Sequence, residues 1–143
     1  MTEVYGDMRN ASHRTSVKLV CRAENNILLI RNKANEVFNL VGWWADKWEH
    51  LDETIRRELL EETWLDLWIM QPKLLHVEVK HFPEWWRFDG SVNIFYLLEF
   101  SEKFVPRLEA WVYEEYRRCS RNDLENMPLS DHTNTDILFS VLE

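Results

Sequence analysis

Glycine is scarce in this sequence of 143 residues, with 3 in total, whereas tryptophan is abundant, with 8. An average chain carries about 7% glycine, so roughly 10 would be expected at this length. The glycine and tryptophan counts together come close to that expectation. Cysteine is also rare. Cys21 and Cys119 lie far apart and follow no metal-ligand spacing, which favours two free or buried thiols over a disulfide framework.

Long apolar runs, a signal sequence and an excess of positive charge are also missing. No run approaches the roughly 18 apolar residues that span a bilayer. The start, "MTEVYGDMRN", lacks the basic-then-apolar pattern of a signal peptide. We therefore expect a soluble, cytoplasmic protein with no membrane partner. The net charge of −8 argues against strong nucleic-acid binding. It is compatible with a phosphate substrate that binds through metal ions.

What the sequence does contain is typical of one globular domain over residues 1–143, with 45% hydrophobic and 29% charged residues. Alternating or continuous apolar runs predict the following strands: Thr15–Arg22, Ile27–Asn32, Val37–Leu40, Leu74–Phe82, Val92–Phe100 and Ala110–Ser120. Helices are predicted over Leu51–Thr63, after an N-cap at Ser120, and over Ser130–Glu143. The sum is a mixed α/β domain with one helix inserted early among the strands.

The first predicted helix places carboxylates beside its apolar face. At about 100° per residue, Glu62 falls near −20° and Glu58 near −60° from Ile55, at the edge of the stripe that Ile55 and Leu59 define. Glu61 falls near −120°, three residues after Glu58. Crowded carboxylates beside apolar surface favour a hard divalent cation between them. Spacing alone leaves open an ordinary surface helix stitched by arginine–glutamate pairs.

The order of the residues decides between these readings. The segment "WADKWEHLDETIRRELLEETWL" resembles the Nudix box, which reads Gly, five residues, Glu, seven residues, Arg-Glu-apolar-any-Glu-Glu-any-Gly-apolar. Every charged position of that box is filled, by Glu49, Arg57, Glu58, Glu61 and Glu62. The resemblance implies a Nudix-like α/β/α sandwich with a mixed β-sheet and a catalytic loop-helix-loop.

The resemblance also implies an activity. Nudix enzymes hydrolyse a nucleoside diphosphate linked to another group, with Mg²⁺ or Mn²⁺. By this resemblance Glu58, Glu61 and Glu62 hold the metal, Glu49 ligates or supports it, and Arg57 orients a glutamate. The expected partner is a small-molecule nucleotide, with a nucleoside triphosphate or a modified one as the first choice.

Residues outside the box receive weaker assignments. Glu114 and Glu115 are candidates for an additional base or ligand, with a solvated strand edge as the alternative. Phe88 and Tyr96 are candidates for stacking on a base, as is Trp86, with core or surface roles as the alternative. The oligomeric state is open, and a homodimer is one option. Three other functions stay open: a Nudix-fold nucleotide-binding module without catalysis, a hydrolase of ADP-ribose or a dinucleoside polyphosphate, and a generic domain with an acidic helix.

Glycine is missing where the resemblance requires it. Trp43 and Trp64 occupy the glycine positions of the box, and Trp44 and Trp48 occupy two further common ones, so that only Gly42 remains. Our hypothesis is that several of these tryptophans are glycines in the native protein, because some genetic codes read the UGA codon as glycine and others as tryptophan. Peptide masses that show tryptophan at these positions in natively produced protein would end it. The rival explanation is a diverged chain whose loop is distorted and whose activity is weak or lost.

Overall fold

The structure is a computed structural model that describes residues 11–34, 36–65, 71–100, 106–107 and 113–143, without the side chains of residues 32, 113 and 114. Six strands form one sheet. They are β1 (His13–Ala23), β2 (Asn26–Asn32), β3 (Phe38–Asn39), β4 (Lys73–His81), β5 (Gly90–Glu99) and β6 (Tyr113–Cys119). The helices of the described residues are α1 (Leu51–Thr63), α2 (Arg121–Leu124) and α3 (Thr135–Ser140).

The sheet is mixed, as the sequence predicts. β1 and β5 run parallel, whereas the other strand pairs are antiparallel. The strand order is β3-β2-β1-β5-β4, and β6 pairs with β2. A parallel pair needs a long crossover connection, and the chain between β1 and β5 supplies it. The α/β fold class is therefore confirmed.

All six predicted strands are present among the described residues, with differences at their ends. The strand predicted over Val37–Leu40 is shorter, because after Asn39 the chain leaves β2 and bonds to β1, where the Leu19 amide donates to the Val41 carbonyl at 2.7 Å. The strand predicted over 110–120 is confirmed as β6, and residues 110–112 lie outside the described residues.

A tight two-residue turn joins the antiparallel strands β1 and β2. Glu24 and Asn25 both have positive φ, 49° and 60°, as a two-residue hairpin of the favoured twist requires. Asparagine tolerates this conformation better than most residues. The predicted "AENN" turn is therefore confirmed.

Two cores lie on opposite faces of the sheet. On one face, the α1-side core packs Ile55 and Leu59 of α1 against Val17 and Leu19 of β1. On the other face, the α3-side core packs Leu138 against residues such as Val20 and Phe95. Because strand side chains alternate, neighbouring residues of β1 serve different cores. This is the layered α/β/α arrangement that the Nudix resemblance implies.

The two later helices differ in how well the sequence predicts them. α2 begins after Ser120, whose hydroxyl accepts from the Asp123 amide at 3.3 Å, so the predicted cap is confirmed. The helix predicted over Ser130–Glu143 is wrong in extent, because α3 covers six residues. Asn134 adopts the left-handed conformation and its side chain accepts from the Ile137 amide, which fixes the start of α3 there.

Both cysteines are free and buried, as expected from their spacing. Burial raises the pKa of the Cys119 thiol to about 12, and it raises the pKa of Cys21 further. Within the described residues, no helix is both long enough and apolar enough to cross a bilayer.

Candidate active site

The segment after β3 lies along β1 and forms one wall of the site. The Leu19 amide donates to the Val41 carbonyl, and the Ala45 amide donates to the Thr15 carbonyl at 2.8 Å. The segment continues into α1, so it corresponds to the loop before the helix of the box. Its backbone is therefore held by the sheet on one side and by the helix on the other.

Gly42 lies close to both β1 and α1. Its φ is 125°, and a Cβ there would lie 2.2 Å from the carbonyl oxygen of Val17. Only glycine fits such a position. The Gly42 amide also donates to Glu62 Oε2 at 2.9 Å, so the loop fixes one glutamate of α1.

Two of the predicted glutamates are buried, as the helical spacing predicts. Glu58 is 4% exposed and Glu62 is 7% exposed, on the same face of α1 as Ile55 and Leu59. Glu58 and Glu62 share a hydrogen bond, and burial raises the pKa of Glu58. Two acidic groups in contact, away from water, repel when both are ionised. The sequence therefore places a strained acidic pair next to the loop.

Arg57 holds the glutamates around it in a fan. Its Nε and Nη2 donate to the two oxygens of Glu49 at 2.7 and 2.9 Å. Its Nη1 donates to Glu58 at 2.7 Å and to Glu61 at 3.3 Å. It also donates to the Trp44 carbonyl at 3.1 Å, which ties α1 to the loop. The planar guanidinium matches carboxylates in this bidentate way, which a lysine does not.

Glu49 is the best-supported carboxylate of the group. Besides Arg57, its side chain accepts from the Thr54 hydroxyl at 2.6 Å and from the Asp46 amide at 2.9 Å. The hydrogen bond with Arg57 lowers the pKa of Glu49 to about 2. An oxygen that accepts several hydrogen bonds is well positioned but already engaged. The geometry assigns Glu49 to holding Arg57.

The carboxylates are close without forming a ready cation site. No group of three His, Cys, Asp or Glu side chains in the described part of the chain converges as metal ligands do. The reason is visible in the contacts, because Arg57 holds Glu49, Glu58 and Glu61, and Gly42 holds Glu62. The side chain of Glu61 is 52% exposed and lies on the solvent side of this group of carboxylates.

The weaker assignments lie elsewhere. Glu115 on β6 is paired with Arg31 of β2 at 2.9 Å, and no hydrogen bond between described residues joins it to α1. The side chain of Glu114 lies outside what the structure describes. Phe88 contacts Trp44 edge-on at 6.1 Å near the loop. Tyr96 packs against the α1-side core. These four assignments stay predictions.

The tryptophans at glycine positions carry the geometry of glycines at two sites. Trp48 has a φ of 69° and is 88% exposed, and Trp64 has a φ of 64° and is 61% exposed. Trp64 ends α1 in the left-handed conformation and its amide donates to the Leu60 carbonyl at 2.8 Å, which is the usual role of a C-terminal glycine. Among the described tryptophans, Trp43 and Trp44 do not share the positive φ.

Sequence reasoning did not find the cavity beside the loop. This β1–β5 cavity has a volume of about 350 Å³. Its lining includes Ser16 and Lys18 of β1, Ser91 and Asn93 of β5, and the aromatic residues Phe82 and Trp86. Polar residues within otherwise apolar strands were the signal that could have found it. The loop residues Trp43 and Trp44 border this cavity, and the Trp44 carbonyl accepts from Arg57.

Comparisons with known proteins place this geometry in a fold. No family model and no curated protein matches the sequence. Solved structures do match. A MutT Nudix hydrolase from Burkholderia pseudomallei shares 24% identity, with a TM-score of 0.72 over 87% of this chain and 95% of that one.

Two further structures resemble the chain over most of its length. The dihydroneopterin triphosphate pyrophosphohydrolase of E. coli has 11% identity and a TM-score of 0.75, over 91% of this chain and 97% of that one. The Nudix domain of Shewanella oneidensis NrtR, complexed with ADP ribose, has 19% identity and a TM-score of 0.70, over 96% and 95%. With its charged box on α1 and these neighbours, the chain has the Nudix fold.

Proposed function

We infer that this chain is a hydrolase that cleaves the diphosphate linkage of a nucleoside diphosphate derivative and requires Mg²⁺ or Mn²⁺. The preferred substrate is a nucleoside triphosphate or a modified one. The observation that carries this proposal is the buried Glu58–Glu62 pair. The Gly42 amide binds Glu62, and the Arg57 guanidinium binds Glu58. The Nudix fold of the chain supports it, since its solved neighbours include pyrophosphohydrolases.

The residues of the acidic pair fit a hard divalent cation. Carboxylate oxygens are the ligands that Mg²⁺ and Mn²⁺ prefer. Burial raises the pKa of Glu58 and the two acids share a hydrogen bond, so a positive charge would relieve an unfavourable contact. Glu58 and Glu62 would hold the cation with Glu61, while Glu49 supports them through Arg57. When bound, such a cation neutralises phosphate charge and lowers the pKa of water.

The chain's own groups prepare the site in a defined way. Arg57 keeps Glu58 and Glu61 on one side of α1, and the Gly42 amide keeps the Glu62 carboxylate against the loop. Both supports are hydrogen bonds to fixed backbone or to a planar guanidinium, so they limit how far these carboxylates move when a cation and a substrate bind. Hydrolysis forms a bond from the water oxygen to phosphorus while the bridging oxygen leaves with the electron pair.

A second candidate is a nucleotide-binding module without catalysis. Trp48 and Trp64 have positive φ on either side of α1, and each such residue costs about 1–2 kcal/mol of strain. Hydrolysis of ADP-ribose or of a dinucleoside polyphosphate is the third candidate. The NrtR domain of the same fold is complexed with ADP ribose, which supports including that ligand in any test.

The test is hydrolysis of a panel of nucleoside triphosphates, ADP-ribose and a dinucleoside polyphosphate, with Mg²⁺, with Mn²⁺ and with EDTA. The triphosphates are followed by the phosphate or pyrophosphate released, and the other two substrates by the mononucleotides that chromatography separates. We expect metal-dependent turnover. We expect Glu62→Gln to lower kcat/KM by about 100-fold or more while leaving the melting temperature near that of the parent, since several kcal/mol of charge stabilisation are lost.

The control for this variant is Asp52→Asn, which removes a charge from an exposed position of the same helix. We expect near-parental turnover from it. Near-parental turnover in Glu62→Gln as well would remove the proposed role of the acidic pair. Tight binding of a nucleotide without turnover under any metal would favour the binding module.

A further inference from the structure

The β1–β5 cavity has a polar floor built from neighbouring strands. Ser16 of β1 and Asn93 of β5 are direct partners in the parallel pair. Side chains two residues apart share a face, so Lys18 and Ser91 extend the same floor. Further along these strands the same face carries Val20 and Phe95 of the α3-side core. The floor is thus a polar interruption of a face that is otherwise apolar.

The polar groups of this floor are buried, and one of them, the Ser16 hydroxyl, lacks a hydrogen-bond partner within the described residues. Ser16 is 1% exposed and Asn93 is 3% exposed. Within the described residues, the hydroxyl of Ser16 has no hydrogen-bond partner. An unpaired buried hydroxyl costs about 1–3 kcal/mol, so it signals a group kept for a ligand. It lies beside an open space of about 350 Å³.

The walls of the cavity are aromatic and flat. Phe82 and Trp86 lie with ring centroids 5.7 Å apart at the mouth. A π-face stacks on a planar heterocycle, and the larger purine ring gains more contact than a pyrimidine. Phe82 provides a stacking face of its own in the lining, beside Trp86.

The loop that contains Gly42 connects the cavity to the acidic pair. The ammonium group of Lys18 is attracted by the charges of Glu62 and Glu58. The loop that borders the cavity is also the loop whose Gly42 amide binds Glu62. A nucleotide with its phosphates at α1 can therefore extend its base over β1 and β5. This placement rests on the function proposed above.

We propose that the β1–β5 cavity binds a purine base, that Asn93 reads the edge of that base, and that Ser16 completes the contact. The side chain of Asn93 carries a donor and an acceptor side by side, which complements the edge of either purine. The hydroxyl of Ser16 both donates and accepts. The cavity thus determines substrate specificity, separately from the acidic pair that acts on the phosphates.

The experiment measures binding without turnover. AMP, GMP, CMP and UMP are titrated calorimetrically into the full chain in Mg²⁺ buffer. We expect the purine monophosphates to bind about tenfold or more tightly than the pyrimidine ones, a difference of about 1.4 kcal/mol. Asn93→Leu removes this preference. Asn93→Asp, which keeps the shape but loses the donor, shifts the preference from AMP towards GMP, because guanine presents two adjacent donors.

The control is Asn122→Leu, the same chemical change at an exposed position of α2. It leaves the order of the four affinities unchanged. Melting temperatures show that each variant folds, and Ser16→Ala, with about a threefold or greater loss of purine affinity, provides a second variant if one of the Asn93 variants does not.

The outcomes separate this inference from the proposed function. Purine binding that depends on Asn93, in a chain that hydrolyses nothing, supports the cavity and removes the hydrolase. Hydrolysis with a base preference that Asn93 variants leave unchanged removes the cavity assignment and keeps the hydrolase. Failure of the parent chain to bind any purine monophosphate, or a preference for pyrimidines, also overturns the inference.

Discussion

Replacing Trp48 by glycine should change the stability of this protein much less than replacing an equally exposed tryptophan that lacks a positive φ. Trp48 has a φ of 69° and is 88% exposed. A side chain in the left-handed region costs about 1–2 kcal/mol relative to an ordinary conformation, and glycine adopts this region without that cost.

The opposing terms are small at this position. An aromatic side chain buries about 150–250 Å² when fully covered. With 88% of Trp48 exposed, the area lost is about 20–30 Å², or about 0.6 kcal/mol. The Lys47 ammonium lies 5.3 Å from the ring, and an exposed contact of this kind contributes about 0.5 kcal/mol. Added chain entropy costs about a further 0.5–1 kcal/mol, so the net change lies between a loss of about 1 kcal/mol and a gain of about 0.5 kcal/mol, which is within about 4 °C in Tm for a chain of this size.

Two variants isolate the cause. Trp48→Ala removes the same ring but keeps a Cβ in the left-handed region, so we expect little or no gain. Trp85→Gly removes a ring that is 81% exposed at a position without positive φ, so we expect a loss of about 1–2 kcal/mol from lost contact area and added chain entropy.

The assay is chemical unfolding in urea at fixed pH, with the midpoint and slope determined for each variant. Equal stability changes in Trp48→Gly and Trp85→Gly would show that backbone strain is not the cause. A loss of clearly more than about 1 kcal/mol in Trp48→Gly would refute the reasoning directly, and it would weaken the hypothesis that this residue is a glycine in the native protein.

Two further predictions concern the ionisable groups of α1. Burial raises the pKa of Glu58 above its unfolded value, so the folded metal-free protein holds that proton more tightly, and its stability falls as pH rises from near 4.5 through the raised value. Glu58→Gln should therefore raise the metal-free Tm at pH 7 relative to the parent and lose this advantage below about pH 4.5; an advantage that does not change with pH would contradict it. The pKa of Glu49 is lowered to about 2, which has the opposite sign: its stabilisation is present above the unfolded pKa and is lost as pH falls towards 2. Glu49→Gln should cost about 1.5–3 kcal/mol at pH 7, because the Arg57 contacts are charge-assisted, and a cost that does not shrink in acid would show that the ion pair is not its source.

The sequence predicts the helix and its chemistry because both depend on short spacings. Glu58, Glu61 and Glu62 are three and four residues apart, so any α-helix places them on neighbouring positions. Their burial next to Ile55 follows from the same periodicity and is observed. Arg57 and Glu49 also follow from the order of residues, since they stand only eight residues apart across the start of α1.

The extent of irregular elements depended on local bonds that no period encodes. α3 begins at Thr135 because the side chain of Asn134 caps it, although the apolar pattern allows a longer helix. β3 ends after Asn39 because the backbone that follows forms hydrogen bonds with β1 instead of β2. In both cases local hydrogen bonds determine where the element begins or ends, although the sequence pattern also permits a longer element.

The sequence by itself determined which residues carry charge on α1, because helical spacing brings residues three and four apart together in any context. Only the tertiary structure decided that Arg57 divides these carboxylates and that Gly42 holds Glu62. It also decided that Ser16 and Asn93, 77 residues apart along the chain, stand side by side in a cavity, because their strands pair in parallel across a long crossover. Contacts between distant segments depend on strand register and on the packing of layers, and neither is written in any local pattern.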